Sequence, residues 1–149
     1  MERIEFGKVA PEIYRALTAL SEQVKKTSID KRLVDMIYLR TSQLNGCAYC
    51  VDMHSHDLAA EGETPQRIAL VAAWREAGTI FSKRERAVLA WTDEVTKLGA
   101  HGVSDAVYAE ALAELGDKGL AEVNLVVIAM NAWNRIGVPF AMTPKDRSK

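Results

Sequence analysis

Apolar side chains recur at intervals of three and four residues along most of this chain, as they do at Ile13, Leu17 and Leu20. That spacing places them on one face of an α-helix. Clean alternation of apolar and polar residues, which would predict half-buried strands, is absent. Between Leu120 and Trp133 apolar residues cover most sides of the predicted helix, which is therefore expected at the centre of the fold. The pattern predicts an all-α protein of about six to seven helices.

Helix boundaries follow from capping residues and helix breakers. Asp30, Thr64, Ser82 and Ser104 are of the types that accept hydrogen bonds at helix N-termini, and Glu85 would complete a capping box with Ser82. Pro11 and Pro65 suit first helical positions, while the Asn45-Gly46 pair and the Gly137/Pro139 pair are breaks. The predicted helices cover about 11–26, 31–44, 47–62, 65–77, 83–98, 105–116 and 118–135.

Length and charge narrow the class of protein further. A chain of 149 residues is long enough for one domain with its own core. Its formal net charge of −1 and its lack of a basic run argue against nucleic acid as a partner. The N-terminus lacks the apolar core of a secretory signal, and the apolar stretch Leu125–Met130 is too short to cross a membrane. We expect a cytoplasmic protein with no membrane partner.

The two cysteines carry most of the functional argument. Cys47 and Cys50 are three residues apart, and His54 follows one turn later. On a helical wheel all three lie within about one-sixth of the circumference. The predicted helix begins at Cys47, where unpaired backbone amides favour a thiolate. The spacing supplies a nucleophile, a partner thiol and a base.

The motif also allows two other interpretations. Cys47, Cys50 and His54 could provide three ligands to zinc, although a structural zinc site normally takes four. The two thiols could also simply fill a core as small apolar groups. His56 falls on the opposite face of the helix, and His101 lies in a predicted loop, so both are expected to be bystanders.

The preceding predicted helix contains one acid with a possible role. Asp35 is flanked by apolar residues, and a buried carboxylate needs a partner. It could pair with Arg40 or face solvent. The functional interpretation is that Asp35 orients His54, as the acid of a catalytic triad does.

The residues around this motif resemble a known family. The sequence LRTSQLNGCAYCVDMH at 39–54, within the stretch 33–57, closely resembles the core of the AhpD-like alkylhydroperoxidases of the carboxymuconolactone decarboxylase family. The sequence NAWNRIG at 131–137 is similar to that group's C-terminal helix. The resemblance covers nearly the whole chain. It implies one AhpD-like domain over 1–149, with its core motif region at 31–62 and a loose tail at 144–149.

The resemblance implies an activity and roles for four residues. Cys50 corresponds to the peroxide-reducing thiol, Cys47 to the resolving thiol, and His54 to a member of the proton relay. Asp35 stands where the family has a glutamate, so its side chain is one methylene shorter. Tyr49 stands where well-known members carry a histidine. The decarboxylase branch generally lacks the cysteine pair, so decarboxylation is not expected.

These residues lead to the hypothesis of a cofactor-free thiol peroxidase that reduces small organic hydroperoxides. The resemblance implies a lipoyl- or thioredoxin-like dithiol as reductant and a homo-oligomer, either a trimer or a hexamer. One alternative is a thiol–disulfide exchanger or redox sensor with little peroxidase turnover. The other is a metal-binding or purely structural oligomer.

Overall fold

The computed structural model describes residues 2–146, which form α-helices and one 3-10 helix and contain no β-strand. The α-helices are α1 (Phe6–Val9), α2 (Pro11–Val24), α3 (Lys31–Asn45), α4 (Ala48–Ala60), α5 (Pro65–Leu70), α6 (Lys83–Thr96) and α7 (Asp105–Gly137), and the 3-10 helix (Val71–Glu76) follows α5 directly. The prediction of an all-α fold is confirmed.

Four helices begin where their capping residues predict. Asp30, Thr64, Ser82 and Ser104 each accept a hydrogen bond from the backbone N–H three residues later. The Glu85 side chain in turn accepts from the backbone N–H of Ser82, which completes the predicted capping box. These starts are local chemistry, and each cap satisfies an amide that the helix itself leaves unpaired.

The structure corrects the predicted elements in three places. The helix expected at 65–77 is an α-helix that becomes a 3-10 helix, with non-helical backbone at Ala73. The first predicted helix ends at Val24 rather than near Lys26. The short helix α1 was not expected at all. The break expected near Gly116 is present as a kink, because this residue has φ 69° inside α7.

The core lies between α3, α6 and α7. Helix α3 packs against α4, α6 and α7, and α7 also packs against α2. The second half of α7 buries Val123, Val126, Val127, Ala129 and Met130, so its predicted central place is correct. Helices α3 and α4, which carry the functional candidates, each pack against several neighbouring helices and are held in place by them.

The N-terminal segment closes against the C-terminal end of the fold. The ring of Phe6 stacks on Phe140 with 5.6 Å between centroids, and the backbone N–H of Arg3 donates to the Phe140 carbonyl at 2.9 Å. Long-range contacts thus hold α1, which is too short to be stable alone. Of the predicted tail at 144–149, residues 147–149 lie outside the described part. Within the described residues, no helix has both the length and the apolar character needed to cross a bilayer.

Candidate active site

The cysteine pair lies at the tight junction between α3 and α4. Gly46 ends α3 in the left-handed conformation, with φ 71°, which a glycine adopts without strain. The turn places Cys47 at the N-cap of α4 and Cys50 in its first turn. Both residues are buried and both are free thiols. They form a small cluster with Met130, apart from the main core.

Helix α7 approaches the pair closely at Gly137. A Cβ added to this glycine would lie 2.8 Å from Cys47 Sγ and 3.7 Å from Cys50 Sγ. The first distance is shorter than any carbon–sulfur packing contact can be. The absence of a side chain at position 137 therefore lets the backbone of α7 lie directly against the sulfur atoms.

The two thiols change each other's acidity. The hydrogen bond from the Cys50 thiol lowers the pKa of Cys47 to about 7. The same interaction, together with burial, raises the pKa of Cys50. The pair shares its protons, so one thiolate is available near neutral pH while the second proton is held tightly. Such a thiolate is both a nucleophile and a competent partner for disulfide exchange.

A pocket of about 770 Å³ opens in front of Cys50. Cys50 and His54 line this pocket, whereas Cys47 does not and lies behind Cys50. Most of the remaining wall is aromatic or aliphatic, including Phe6, Tyr14, Tyr38, Tyr49, Met53, Met130 and Trp133. The volume is in the range of pockets that take small organic molecules.

His54 lies between two carboxylates. Its Nδ1 is 3.6 Å from Asp35 Oδ1 and 3.3 Å from Asp57 Oδ2. The ring is buried and packs at 4.9 Å from the ring of Tyr38. Neither ring nitrogen makes a hydrogen bond within the described residues. A buried imidazole whose two nitrogens are unpaired can exchange a hydrogen bond or a proton with a molecule in the pocket.

Asp35 is tied to a lysine as well as to His54. Lys31 Nζ lies 2.9 Å from Asp35 Oδ2 and 2.9 Å from Glu61 Oε1. Burial acts to raise the pKa of Asp35, but the nearby His54 imidazole and the hydrogen bond from Lys31 outweigh it and lower that pKa. The acid is therefore ionised at neutral pH. Burial of the Tyr38 hydroxyl, together with the negative charge of Asp35, raises the pKa of Tyr38 to about 12.

Asp35, His54 and Asp57 form the one compact group of possible metal ligands among the described residues. The ligand atoms of Asp35, His54 and Asp57 lie within 4.8 Å of one another. The ammonium group of Lys31 already occupies Asp35, so a divalent cation would have to displace it or bind beside it. The zinc set proposed as an alternative, Cys47, Cys50 and His54, is not a group of this kind within residues 2–146.

An amide network on α3 and α7 lies beside the thiols, and neither Ser42 nor Asn134 lines the pocket. Asn134 Nδ2 donates to Ser42 Oγ at 3.2 Å and to Met130 Sδ at 3.3 Å, while its Oδ1 accepts from Asn45 Nδ2 at 2.9 Å. Ser42 and Asn134 are both almost completely buried. Both side chains act to lower the pKa of Cys50.

The structure brings together the four residues predicted for the site. Cys50 and His54 line one pocket, Cys47 lies behind Cys50, and Asp35 lies beside His54. His56 is exposed and pairs with Asp52 at 3.5 Å, and His101 is exposed in a loop, so both lie away from the pocket as expected. The catalytic roles of these four residues remain predictions.

Sequence reasoning missed several neighbours of these residues. Asp57 is closer to His54 than Asp35 is, and a carboxylate one turn after a histidine was the available signal. Lys31, one turn before Asp35, could have been found in the same way. Asn134 carried no such signal, because only the packing of α7 on α3 brings it to the thiols.

Comparisons with known proteins agree with this architecture. The model of the carboxymuconolactone decarboxylase family matches residues 11–94. The uncharacterized protein YdfG of Bacillus subtilis is 32% identical over 148 residues, which cover 99% of each chain.

Solved structures give the same fold. A protein of unknown function from Agrobacterium tumefaciens, suggested to be the antioxidant defence protein AhpD, has a TM-score of 0.95 and 35% identity, with 99% of this chain and 100% of that chain covered. An uncharacterized peroxidase-related protein from Ralstonia eutropha, described as having an alkylhydroperoxidase AhpD core, has a TM-score of 0.82 and 24% identity. It covers 94% of this chain and 74% of its own, and the likeness is one of fold.

Proposed function

This chain belongs to the carboxymuconolactone decarboxylase family, and from that premise we propose that it is a cofactor-free thiol peroxidase that reduces organic hydroperoxides. The fold is that of AhpD-like proteins. The observation that carries the proposal is the position of Cys50, which lines the pocket together with His54 while Cys47 lies directly behind it. A substrate in the pocket reaches Cys50 first.

The first step forms a sulfenic acid on Cys50. The Cys50 thiolate attacks the terminal oxygen of R–O–O–H, an S–O bond forms, and the O–O bond breaks. The leaving alkoxide takes one proton and departs as the alcohol R–OH. The sulfur is oxidised by two electrons, and the peroxide is reduced by two.

Proton transfer within the pair prepares this thiolate. Near neutral pH the pair has already lost one proton, and the remaining one is shared between the two sulfurs. When that proton moves to Cys47, the charge lies on Cys50 at the pocket wall. This shift requires no other base.

The second step closes the disulfide. The Cys47 sulfur attacks the sulfenic sulfur of Cys50, the S–OH bond breaks, and hydroxide leaves as water after taking up the Cys47 proton. Cys47 at the N-cap of α4 is three residues before Cys50, and the hydrogen bond between the two thiols supports a direct reaction of their sulfurs. A dithiol reductant then restores the pair by exchange and becomes a disulfide itself.

His54 is proposed as the residue that delivers the proton to the leaving alkoxide. Its Nδ1 lies near the carboxylates of Asp35 and Asp57, which hold the orientation of the ring. Lys31 in turn holds Asp35. The shorter reach of an aspartate at position 35 leaves 3.6 Å to His54, and Asp57 supplies a second carboxylate at 3.3 Å.

The test compares two oxidants on the same reduced protein. Oxidation of the pair by cumene hydroperoxide is timed against oxidation by a small oxidised dithiol at equal concentration. The peroxidase proposal expects the hydroperoxide to react much faster with the protein than with a free cysteine of the same thiolate fraction. Equal rates for protein and free thiol would reject it.

Thiol–disulfide exchange is the second candidate. The observation in its favour is the pKa of Cys47, lowered to about 7 by the Cys50 thiol at the start of a helix. It expects rapid reaction with the oxidised dithiol and no preference for the hydroperoxide. The same comparison of oxidants therefore decides between the two candidates.

We also propose that the protein forms a homo-oligomer. Ile13, Leu98 and Ile128 expose 51%, 64% and 47% of their surface, which is apolar area suited to contact between subunits. Light scattering at micromolar concentration should give a multiple of 16.4 kDa. A mass equal to that of one chain would contradict this.

A further inference from the structure

Asn134 is a polar residue in a buried, mostly apolar position next to the two cysteines. It is 1% exposed and comes from α7, opposite the start of α4. Three residues later on the same helix, Gly137 allows the backbone to lie against Cys47 Sγ. Burying an amide in such a cluster costs free energy unless its hydrogen bonds are made.

The hydrogen bond from Asn45 determines which end of the Asn134 amide faces the sulfurs. Asn45 Nδ2 donates to Asn134 Oδ1 at 2.9 Å and to Asn131 Oδ1 at 3.0 Å. Arg135 also donates to Asn131 Oδ1, which keeps that oxygen an acceptor. Since Asn45 can only donate through its nitrogen, Asn134 Oδ1 must face it. Both N–H groups of Asn134 consequently point towards Ser42 and the cluster of Cys47, Cys50 and Met130.

One of these N–H groups makes only a weak hydrogen bond while both cysteines are thiols. Asn134 Nδ2 lies 3.3 Å from Met130 Sδ, and a thioether is a weak acceptor. The other N–H goes to Ser42 Oγ at 3.2 Å, which leaves the Ser42 hydroxyl hydrogen free to donate onwards. A negative charge on the adjacent sulfur would be a far stronger acceptor for both donors.

We propose that Asn134 and Ser42 form a donor pair that stabilises the negative charge of the Cys47/Cys50 thiols during the reaction. Neither donor lines the pocket, so both leave the accessible side of Cys50 open to substrate. Asn45 is a positioning residue, because it sets which end of the Asn134 amide faces the sulfurs. This inference rests on the proposed use of the pair as a thiolate and does not depend on the oxidant.

The direction of the acidities agrees with this arrangement. Asn134 acts to lower the pKa of both thiols, and Ser42 acts to lower that of Cys50. Asn134 therefore favours a thiolate on either sulfur, while Ser42 acts on Cys50 alone and favours the charge on the sulfur at the pocket wall.

The test is the pH dependence of alkylation of the reduced protein by iodoacetamide. For the unchanged protein the rate should rise through a midpoint near pH 7, because the thiolate is present above the lowered pKa of Cys47 and is lost as pH falls through it. Asn134→Leu keeps a similar volume but removes the donors. It should move the midpoint upwards by about one pH unit, which is about tenfold less thiolate at pH 6.

Ser42→Ala is the second variant, and it changes only one oxygen. It should raise the midpoint by a smaller amount and decides the question if Asn134→Leu does not fold. The matched controls are Asn124→Leu on the same helix and Thr41→Val beside Ser42. Asn124 accepts from Trp91 away from the thiols, and the Thr41 hydroxyl makes no hydrogen bond within the described residues. Neither control should move the midpoint.

An unchanged midpoint in Asn134→Leu and in Ser42→Ala would overturn the proposal. A shift in both donor variants and in neither control would support it, whatever the rate with peroxide. Failure of peroxide oxidation with a normal alkylation profile would reject the proposed peroxidase function and leave this inference standing.

Discussion

Two buried polar regions of this protein are built on opposite principles. The Asp93 cluster (Arg40, Trp74, Arg75 and Asp93) holds its charges by complete pairing. Arg40 Nε donates to Asp93 Oδ1 at 2.5 Å, and Asp93 Oδ2 accepts from Arg40 Nη2 and Trp74 Nε1, both at 3.1 Å. The thiol site, comprising Cys47, Cys50 and His54, lies beside a pocket and leaves both nitrogens of its imidazole without a hydrogen bond in the described residues.

The contrast indicates that the Asp93 cluster stabilises the fold and that the thiol site serves the reaction. Polar groups that satisfy each other have nothing left to offer a substrate, and they fix the packing of α3, α6 and the 3-10 helix. Polar groups that stay unsatisfied next to a pocket are costly in the resting protein but can complete their bonds with a bound molecule. Mutations in the two regions should therefore affect different observables.

The largest expected effect is the loss of the peroxidase reaction in Cys50→Ser. A serine hydroxyl at position 50 is not deprotonated at neutral pH and cannot form the sulfenic acid. Peroxide consumption should fall to that of buffer, while the urea midpoint changes little. Cys47→Ser should still react once and then accumulate the sulfenic acid, detectable with dimedone. Full turnover in Cys50→Ser would assign the nucleophile elsewhere.

The converse is expected for the Asp93 cluster. Asp93→Ala leaves the largely buried guanidinium of Arg40 without its carboxylate and should lower the free energy of unfolding by about 3 kcal/mol. The rate of peroxide reduction per folded molecule should stay the same. The matched control is Glu110→Ala, an exposed acid on α7, which should stay within about 0.5 kcal/mol in urea unfolding. If Asp93→Ala changed the rate of peroxide reduction and left the free energy of unfolding unchanged, the two regions would not have the separate roles proposed here.

An intermediate effect is expected at the carboxylates around His54. Asp35→Asn removes the charge that orients the ring and anchors Lys31, and the peroxide rate should fall by about tenfold or more. Asp57 has 44% of its side chain exposed, so Asp57→Asn should cost less, about threefold. The pH–rate profiles of both variants would report on the histidine directly. A rate in Asp35→Asn equal to that of the unchanged protein would remove Asp35 from the relay.

The smallest expected effect tests the contact between α7 and the thiols. Gly137→Ala places a methyl group 2.8 Å from Cys47 Sγ, so the helix or the thiol must move, at a cost of about 1–2 kcal/mol. Closure of the disulfide after the first oxidation should slow, which stopped-flow fluorescence can follow. Gly119→Ala on the same helix meets only Leu115 Cβ at 3.2 Å and serves as the control. Equal closure rates in both variants would show that the close approach has no functional part.

Much of the fold could be read from the sequence because helix starts are local. Asp30, Thr64, Ser82 and Ser104 each act within one turn of their own position, so the residue type was sufficient evidence. Helix α1 could not be predicted in this way. Its contacts with Phe140 join the two ends of the chain, and the local sequence contains no trace of them.

The same distinction between local and long-range contacts applies to the candidate site. Cys50 and His54 lie one turn apart on α4, and their shared position at the pocket followed from helix geometry alone. Asp35 was a candidate because a carboxylate among apolar residues needs a partner, and the family resemblance gave it the same role. Asn134 and the pocket itself depend on how α7 packs against α3 and α4, which residue spacing does not encode.

The most direct test of the thiol site as the reactive region is the intact mass of the reduced protein after brief exposure to cumene hydroperoxide, with peptide mapping of the product. The account predicts loss of two hydrogens and a disulfide between Cys47 and Cys50, formed faster than a free thiol is oxidised. A mass that stays unchanged over the time in which a free thiol reacts would contradict it.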